Sequence, residues 1–182
     1  MKKSVNTLLF VFCAYLFDAC NTVTPENYFD RAVLNVNMMQ GFAGGGLQRE
    51  LESPGVKMVE GSKDQFMPMK RKEIIDDKIH SIETNAEKVR QLKQTDDTKE
   101  MLQASMALYD FTLPVYKNEY MQLARLYDDG ASAEQIQMAE KSIEEKYSVK
   151  FGQLFDALTT AGKLYAVKNN IQVNWNVQTS PQ

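Results

Sequence analysis

The chain has 182 residues, and 43% of them are hydrophobic, which is enough to bury one core of ordinary size. Its formal net charge is -3, from 21 basic and 24 acidic residues. Because no basic excess is available to neutralise phosphate groups, we do not expect nucleic acid as a partner. The two cysteines, Cys13 and Cys20, both lie near the N-terminus, which excludes a disulfide framework for the rest of the chain.

The N-terminus has the layout of a signal peptide. Two lysines at positions 2 and 3 precede an apolar run over residues 8–17, which is about half the length that a bilayer-spanning helix needs. The tetrapeptide at 17–20 (Phe-Asp-Ala-Cys) then resembles a bacterial lipobox, in which a small residue precedes the cysteine that is lipidated. The alternative is an ordinary signal peptide, but no small-x-small cleavage site follows the apolar run.

The resemblance to a lipobox implies an address at a membrane. We predict a lipoprotein signal peptide over residues 1–19, lipidation of Cys20, and a lipidated leash over residues 20–24. A diacylglycerol and an N-acyl chain together would hold the protein firmly, since each buried methylene contributes about 0.8 kcal/mol.

Residues 25–170 are predicted to form a helical domain. The first helix begins at Thr24, whose hydroxyl can cap it, with proline and an acid following in the first turn. Helical spacing of apolar residues carries it to about Gln40. A glycine-rich stretch over 41–46 interrupts the spacing, which resumes as far as Glu52.

Three longer helices are predicted after a connection over residues 53–68. They run from about Lys70 to Lys93, from a cap at Asp97 to Asp128, and from a capping box at Ser132 to about Lys168. The middle one contains Pro114, which predicts a kink. It also carries the most regular apolar stripe of the chain, here called the seam, whose members alternate by four and three residues. The seam consists of Leu102, Met106, Tyr109, Leu113, Tyr116, Tyr120, Leu123 and Tyr127.

Short turns between the last three helices favour antiparallel neighbours. The predicted fold is therefore all-α: an elongated antiparallel four-helix bundle, preceded by a signal peptide and followed by a short C-terminal β-strand. The strand is predicted because apolar and polar residues alternate strictly over 170–178, within a final segment of strand and tail over 171–182. Its partner is either the stretch 56–59, which we favour, or the sheet edge of another protein.

Few residues indicate chemistry. His80 is the single histidine of the chain. A di-iron bundle needs a histidine on each of two helices, so His80 and the carboxylates near it do not indicate such a site. The glycines at 44–46 lack the lysine of a phosphate loop. Methionines at 38–39 and around 66–69 could be soft metal ligands, but methionines more often fill gaps in a core or form a sticky apolar surface. We predict no catalytic residue, no metal and no cofactor.

The candidate contacts to a ligand or partner are aromatic. Seam residues Tyr109, Tyr116 and Tyr120 could line a ligand slot with their hydroxyls, although core packing is the commoner role of such residues. Trp175 lies on the apolar face of the predicted C-terminal strand and is the fourth candidate contact.

A lipobox-like leader, long amphipathic helices and no catalytic set together resemble the layout of small helical envelope lipoproteins of bacteria with two membranes. The resemblance implies a protein that is anchored by lipid on its first mature residue, in the outer membrane on its periplasmic or surface face. We expect a non-enzymatic protein that binds an envelope protein or a ligand. The alternative is a structural lipoprotein subunit of an envelope-spanning complex such as a secretion system, docked through its C-terminal strand.

Overall fold

The computed structural model describes residues 23–175 of the chain. Over this range the protein is mostly helical and carries one small two-stranded sheet. The predicted signal peptide, the lipidation site Cys20 and the first part of the leash lie outside the described residues, as do residues 176–182.

The helices and strands follow one another with short connections. In chain order they are α1 (Pro25–Ala32), a 3₁₀-helix (Leu34–Met39), α2 (Gly45–Glu52), β1 (Val56–Met58), β2 (Phe66–Pro68), α3 (Arg71–Arg90), α4 (Lys99–Val115), a π-helical turn (Tyr116–Tyr120), α5 (Met121–Asp128) and α6 (Ala133–Lys168).

The start of α1 is the one predicted from the sequence. Thr24 is its N-cap, and the Thr24 hydroxyl accepts a hydrogen bond from the Asn27 amide at 3.3 Å. The predicted length was wrong, since α1 ends at Ala32 and a 3₁₀-helix continues to Met39. This stretch is rich in valine and asparagine, which restrict or compete with regular α-helical geometry. The first rod of the predicted four-helix bundle is thus replaced by short helical pieces.

A sharp corner separates the 3₁₀-helix from α2. Gly41 has a φ of +84°, and a Cβ at this position would lie 2.8 Å from the Cα of Gly46. Because the two backbone segments touch, only glycine fits at the crossing. The glycine-rich stretch therefore reverses the chain and starts α2 at Gly45.

The helix α6 has the predicted boundaries and the predicted cap. The Ser132 hydroxyl accepts a hydrogen bond from the Gln135 amide, and the Gln135 side chain accepts one from the Ser132 amide at 3.0 Å. With 36 residues, α6 is about 54 Å long at 1.5 Å per residue.

The rod formed by α4 and α5 is continuous through a π-helical turn. Pro114 lies in the last turn of α4, and the π-helical turn begins two residues later at Tyr116. Proline removes one backbone donor from the helix, and both proline and π-helical turns are sites at which helices depart from regular geometry. The predicted cap at Asp97 was wrong, because Thr98 precedes the first turn and Asp97 binds Lys168 and Asn169 instead.

The seam is buried, as its spacing predicted. The α4–α5 rod packs against α3 and α6. Five seam residues are buried and three are partly buried against the same core. The buried ones are Leu102, Tyr109, Tyr116, Tyr120 and Leu123; the partly buried ones are Met106, Leu113 and Tyr127.

The predicted C-terminal strand was wrong over residues 171–175, which form no strand. Asn170 has a φ of +54°, and the Ile171 amide donates back to the carbonyl of Ala166 at 2.8 Å, which closes α6 with a Schellman motif. The apolar residues of this segment pack on the helices, so their alternation does not reflect pairing. The stretch that we expected as its partner pairs with β2 instead, with Lys57 opposite Met67.

We predict that Gly162 and Gly152, both within α6, respond oppositely to a larger side chain. A Cβ at Gly162 would lie 3.0 Å from the side chain of Val33, whereas a Cβ at Gly152 meets nothing within 4 Å. Gly162→Val should therefore lower the free energy of unfolding by about 1–3 kcal/mol through overpacking. Gly152→Ala should raise it by about 0.5–1 kcal/mol through helix propensity. Urea unfolding followed by circular dichroism measures both changes, and a destabilised Gly152→Ala variant would contradict this account.

Candidate functional site

One face of the β1–β2 ribbon exposes apolar side chains to solvent. Val56 is 64% exposed, Met58 is 52% exposed and Phe66 is 60% exposed, and Pro68 is also exposed. Val56 faces Pro68 across the strands, and Met58 faces Phe66, so all four side chains lie on the same face. We call these four residues the ribbon face. Contiguous exposed apolar groups of this kind mark interaction surfaces more often than single exposed residues do.

A tight connection holds the two strands together. The Val59 amide donates to the carbonyl of Gln65 at 2.8 Å, and the Ser62 amide donates to the carbonyl of Val59 at 3.0 Å. Gly61 has a φ of +78° in this connection, and the Ser62 hydroxyl accepts from the Gln65 amide at 2.9 Å. The ribbon is therefore closed by its own backbone.

The other face of the ribbon is tethered to the start of α3. Lys57 forms an ion pair with Glu73 in the first turn of α3, and the hydrogen bond from Lys57 holds the pKa of the Glu73 carboxyl below its usual value. The backbone amide of Arg71 donates to the Asp128 carboxylate at 2.9 Å, so the end of α5 also lies beside the start of α3. The ribbon thus lies where α3 starts and α5 ends.

The N-terminal end of the described chain lies at the opposite end of α3. The hydroxyl of Tyr28, in α1, donates to the carbonyl of Lys93 at 3.1 Å, just beyond the last residue of α3. The C-terminal segment is at the same end, because the ring of Trp175 packs edge-on against Phe29 with centroids 5.8 Å apart. The 20 residues of α3 separate the two ends by about 30 Å.

The three candidate tyrosines are core residues in this structure. Tyr109, Tyr116 and Tyr120 are 0%, 1% and 3% exposed, so they present no appreciable surface to a partner. The structure brings Tyr116 and Tyr120 together, with stacked rings 5.0 Å apart and Phe42 against both. Trp175 is 37% exposed and makes its ring contacts elsewhere, with Phe29 and with the Lys163 ammonium at 5.4 Å.

The hydroxyl of Tyr120 has a structural role. It accepts a hydrogen bond of 2.7 Å from the backbone amide of Ala43, at the glycine-rich corner. Burial raises the pKa of Tyr120 to about 12, so the hydroxyl stays protonated at physiological pH. The contact links the seam to the chain reversal before α2. Tyr109, by contrast, has a buried hydroxyl without a hydrogen-bond partner among the described residues.

We predict that removing these two hydroxyls has different effects on stability. Tyr120→Phe leaves the buried Ala43 amide without an acceptor and should lower the free energy of unfolding by about 1–3 kcal/mol. Tyr109→Phe removes an unpaired buried hydroxyl and should be neutral or stabilising. Chemical unfolding of the matched pair decides the point, and equal losses would show that the bond to Ala43 is not a stabilising one.

The cavities bordered by the described residues are small or open. A cavity of about 20 Å³ lies beside Tyr120 and has room for a single water molecule. An open groove of about 460 Å³ lies between α4 and α6, with Ala157, Ala161 and Leu164 along it and with Glu100 and Asp156 at its sides. Within residues 23–175 no three side chains of the metal-binding types lie together, and His80 is exposed on α3.

The ribbon face was only partly foreseen from the sequence. The methionine-rich stretch around 66–69 was expected to fill gaps or form a sticky surface. The exposure of Phe66 and Met67 agrees with the second of these, and the packing of Met69 against the core agrees with the first. What sequence reasoning missed was the pairing of the two strands. A usable signal was present, since two short apolar stretches flank a connection that contains Gly61 and Ser62.

Comparison with known proteins gives no relative for this fold. No protein-family model, no curated protein and no solved structure shows significant similarity to the chain. Among the helices in residues 23–175, none combines the length and the apolar character needed to cross a bilayer.

Proposed function

We propose that this protein is a lipid-anchored, non-enzymatic component of the bacterial cell envelope that binds a partner protein through the ribbon face. The observation that carries the proposal is that the start of α1 and the ribbon face lie at opposite ends of α3. The leash enters α1 at one end, and the exposed apolar side chains of Val56, Met58 and Phe66 are at the other. A helical bundle would then act as a rigid spacer between membrane and partner.

The length of the leash supports this arrangement. Four residues lie between Cys20 and Pro25, and the five residue steps that join them span at most about 18 Å when extended. With lipid on Cys20, the first turn of α1 would be held close to the membrane surface. The ribbon face, at the other end of the 20 residues of α3, would then be able to reach about 30 Å further from the bilayer. We place the anchor in the outer membrane, as the resemblance to envelope lipoproteins suggests.

Apolar exposure at the ribbon favours a protein partner over a small ligand. Ligand pockets are concave and enclose most of their ligand, whereas the ribbon face is a projecting surface. That the protein is not an enzyme stays a prediction from the sequence. The alternative, a structural subunit of an envelope-spanning complex, would also need a docking surface, and the ribbon could serve it now that residues 171–175 form no strand.

The anchor is tested by replacing Cys20. Cys20→Ala should move the protein from the membrane fraction to the soluble fraction, because the diacylglycerol has no thiol to join. Cys13→Ala is the matched control, since it lies in the apolar run and should leave the protein in the membrane fraction. Fractionation and metabolic labelling with a fatty acid give the answer, and a Cys20→Ala protein that still sediments with lipid label would refute the anchor.

The binding surface is tested by replacing three residues of the ribbon face. Val56→Thr, Met58→Thr and Phe66→Thr together keep the strand propensity but remove apolar area. We expect recovery of a cross-linked envelope partner to fall about tenfold or more, while the helical circular dichroism signal is unchanged.

A matched control uses three exposed apolar residues of α6. Val149→Thr, Leu164→Thr and Val167→Thr remove similar side chains, which are 72%, 62% and 80% exposed. This control should retain the partner. Equal loss in both variants, or no loss in the ribbon variant, would contradict a binding role for the ribbon face.

A further inference from the structure

We propose that the partner contributes an extended segment that pairs with the free edge of β1 and turns the ribbon into a three-stranded sheet. This inference rests on the proposed function, since it names the class of partner for the same surface. Three features of the ribbon support this pairing: its hydrogen-bond register, the chemistry of its two edges, and the charge at the centre of β1.

The register leaves backbone groups of β1 pointing outwards. Hydrogen bonds between the strands join Gly55 to Met69 and Val59 to Gln65. Because bonded and non-bonded pairs alternate in an antiparallel ladder, the pair of Lys57 and Met67 is also bonded. Val56 and Met58 therefore direct their N–H and C=O groups away from β2.

The two edges of the ribbon are not equivalent. The outward positions of β2 are Phe66 and Pro68, and proline has no N–H to donate. The outward positions of β1 are Val56 and Met58, which both have an N–H and a C=O. The strands pair with each other and make few contacts with the helices. The edge of β1 is thus the one that can accept a complete strand.

The side chains of β1 define what the added strand should carry. Val56 and Met58 belong to the ribbon face, so the partner should present apolar side chains on that face at every second residue. Lys57 projects from the opposite face and is shared with Glu73 at the protein surface. The Lys57 ammonium has three donors and its side chain is 40% exposed, so an acidic residue opposite Lys57 would accept a further hydrogen bond from it beside the pair with Glu73. The partner segment is therefore of the type apolar–acidic–apolar.

The same charge argues against a second copy of this chain as the partner. Two β1 strands that pair antiparallel over their full length would place Lys57 directly opposite Lys57. Each Lys57 is already paired with its own Glu73, so the β1 strand of a second copy brings another ammonium to this position and no further carboxylate. A different protein, with a carboxylate at that position, is the better match.

Strand addition is tested with the full chain and a phage-displayed library of random nonapeptides. Recovered sequences should alternate apolar and polar residues and carry an acidic residue between two apolar ones. A synthetic peptide of the recovered sequence should slow hydrogen exchange at the amides of Val56 and Met58, because these amides become hydrogen-bonded. Recovered sequences with apolar residues at a spacing of three and four, or no enriched sequence at all, would overturn the proposal.

Two pairs of variants separate backbone pairing from side-chain contact. Met58→Pro and Met58→Ala both remove the methionine side chain, but only proline also removes the outward N–H of residue 58. We therefore expect Met58→Pro to weaken binding of the peptide about tenfold more than Met58→Ala does. On β2, Phe66→Pro should bind no more weakly than Phe66→Ala. Equal affinities for the two Met58 variants would refute pairing with β1.

A failure of strand addition can be distinguished from a failure of the proposed function. If the triple threonine variant of the ribbon face still retains its envelope partner, the binding role of the ribbon fails. If the partner is lost but the two Met58 variants bind the peptide alike, only strand addition fails. Sedimentation that shows a dimer lost with Met58→Pro would overturn the proposal in favour of self-pairing.

Discussion

The burial of the seam is the constraint on which the rest of this structure depends. The α4–α5 rod lies between α3 and α6, and Tyr109, Tyr116 and Tyr120 are removed from water almost completely. Each large aromatic side chain buried in this way contributes on the order of 1.5–3 kcal/mol. Phe42 joins them from the glycine-rich corner, with its ring 4.8 Å from that of Phe151 on α6. The short N-terminal helices are positioned by these contacts.

This packing also explains why the ribbon is exposed. The core is completed by helices α1 to α6 and the 3₁₀-helix, and none of the four side chains of the ribbon face contributes to it. The ribbon is attached by its covalent connections to α2 and α3 and by the ion pair between Lys57 and Glu73. Its sequence can therefore vary with little effect on the fold, which is the situation in which a surface is free to be shaped by binding.

The long helices were predictable from the sequence because several independent signals agree there. The seam keeps its spacing across Pro114, Ser132 and Gln135 form a capping box, and short polar turns separate the helices. The signals conflicted in the first half of the chain, where helical spacing persists through a stretch that valine and asparagine bias away from the α-helix. Tertiary contacts with Phe42 and Tyr120, which no local pattern contains, decide the outcome there.

The candidate surface was harder to predict, for a related reason. The alternation of apolar and polar residues over 170–178 predicts a strand, but Ile171 and Val173 are apolar because they pack against the helices. The strands β1 and β2 have only three residues each, which is too few to show an alternating pattern in the sequence. Exposure depends on the complete fold, so the sequence alone does not distinguish the exposed Phe66 from a phenylalanine of the core.

The contact between Gly41 and Gly46 has an evolutionary consequence. Two backbone segments cross there with no space for a methyl group, so neither position can drift independently of the other. Surface loops normally lengthen and shorten among descendants of one ancestor, but an insertion between these two glycines would have to preserve their contact. A pair of glycines five positions apart, with an aromatic residue directly after the first, is the fingerprint by which distant descendants of this chain could be recognised after the rest of the sequence has diverged.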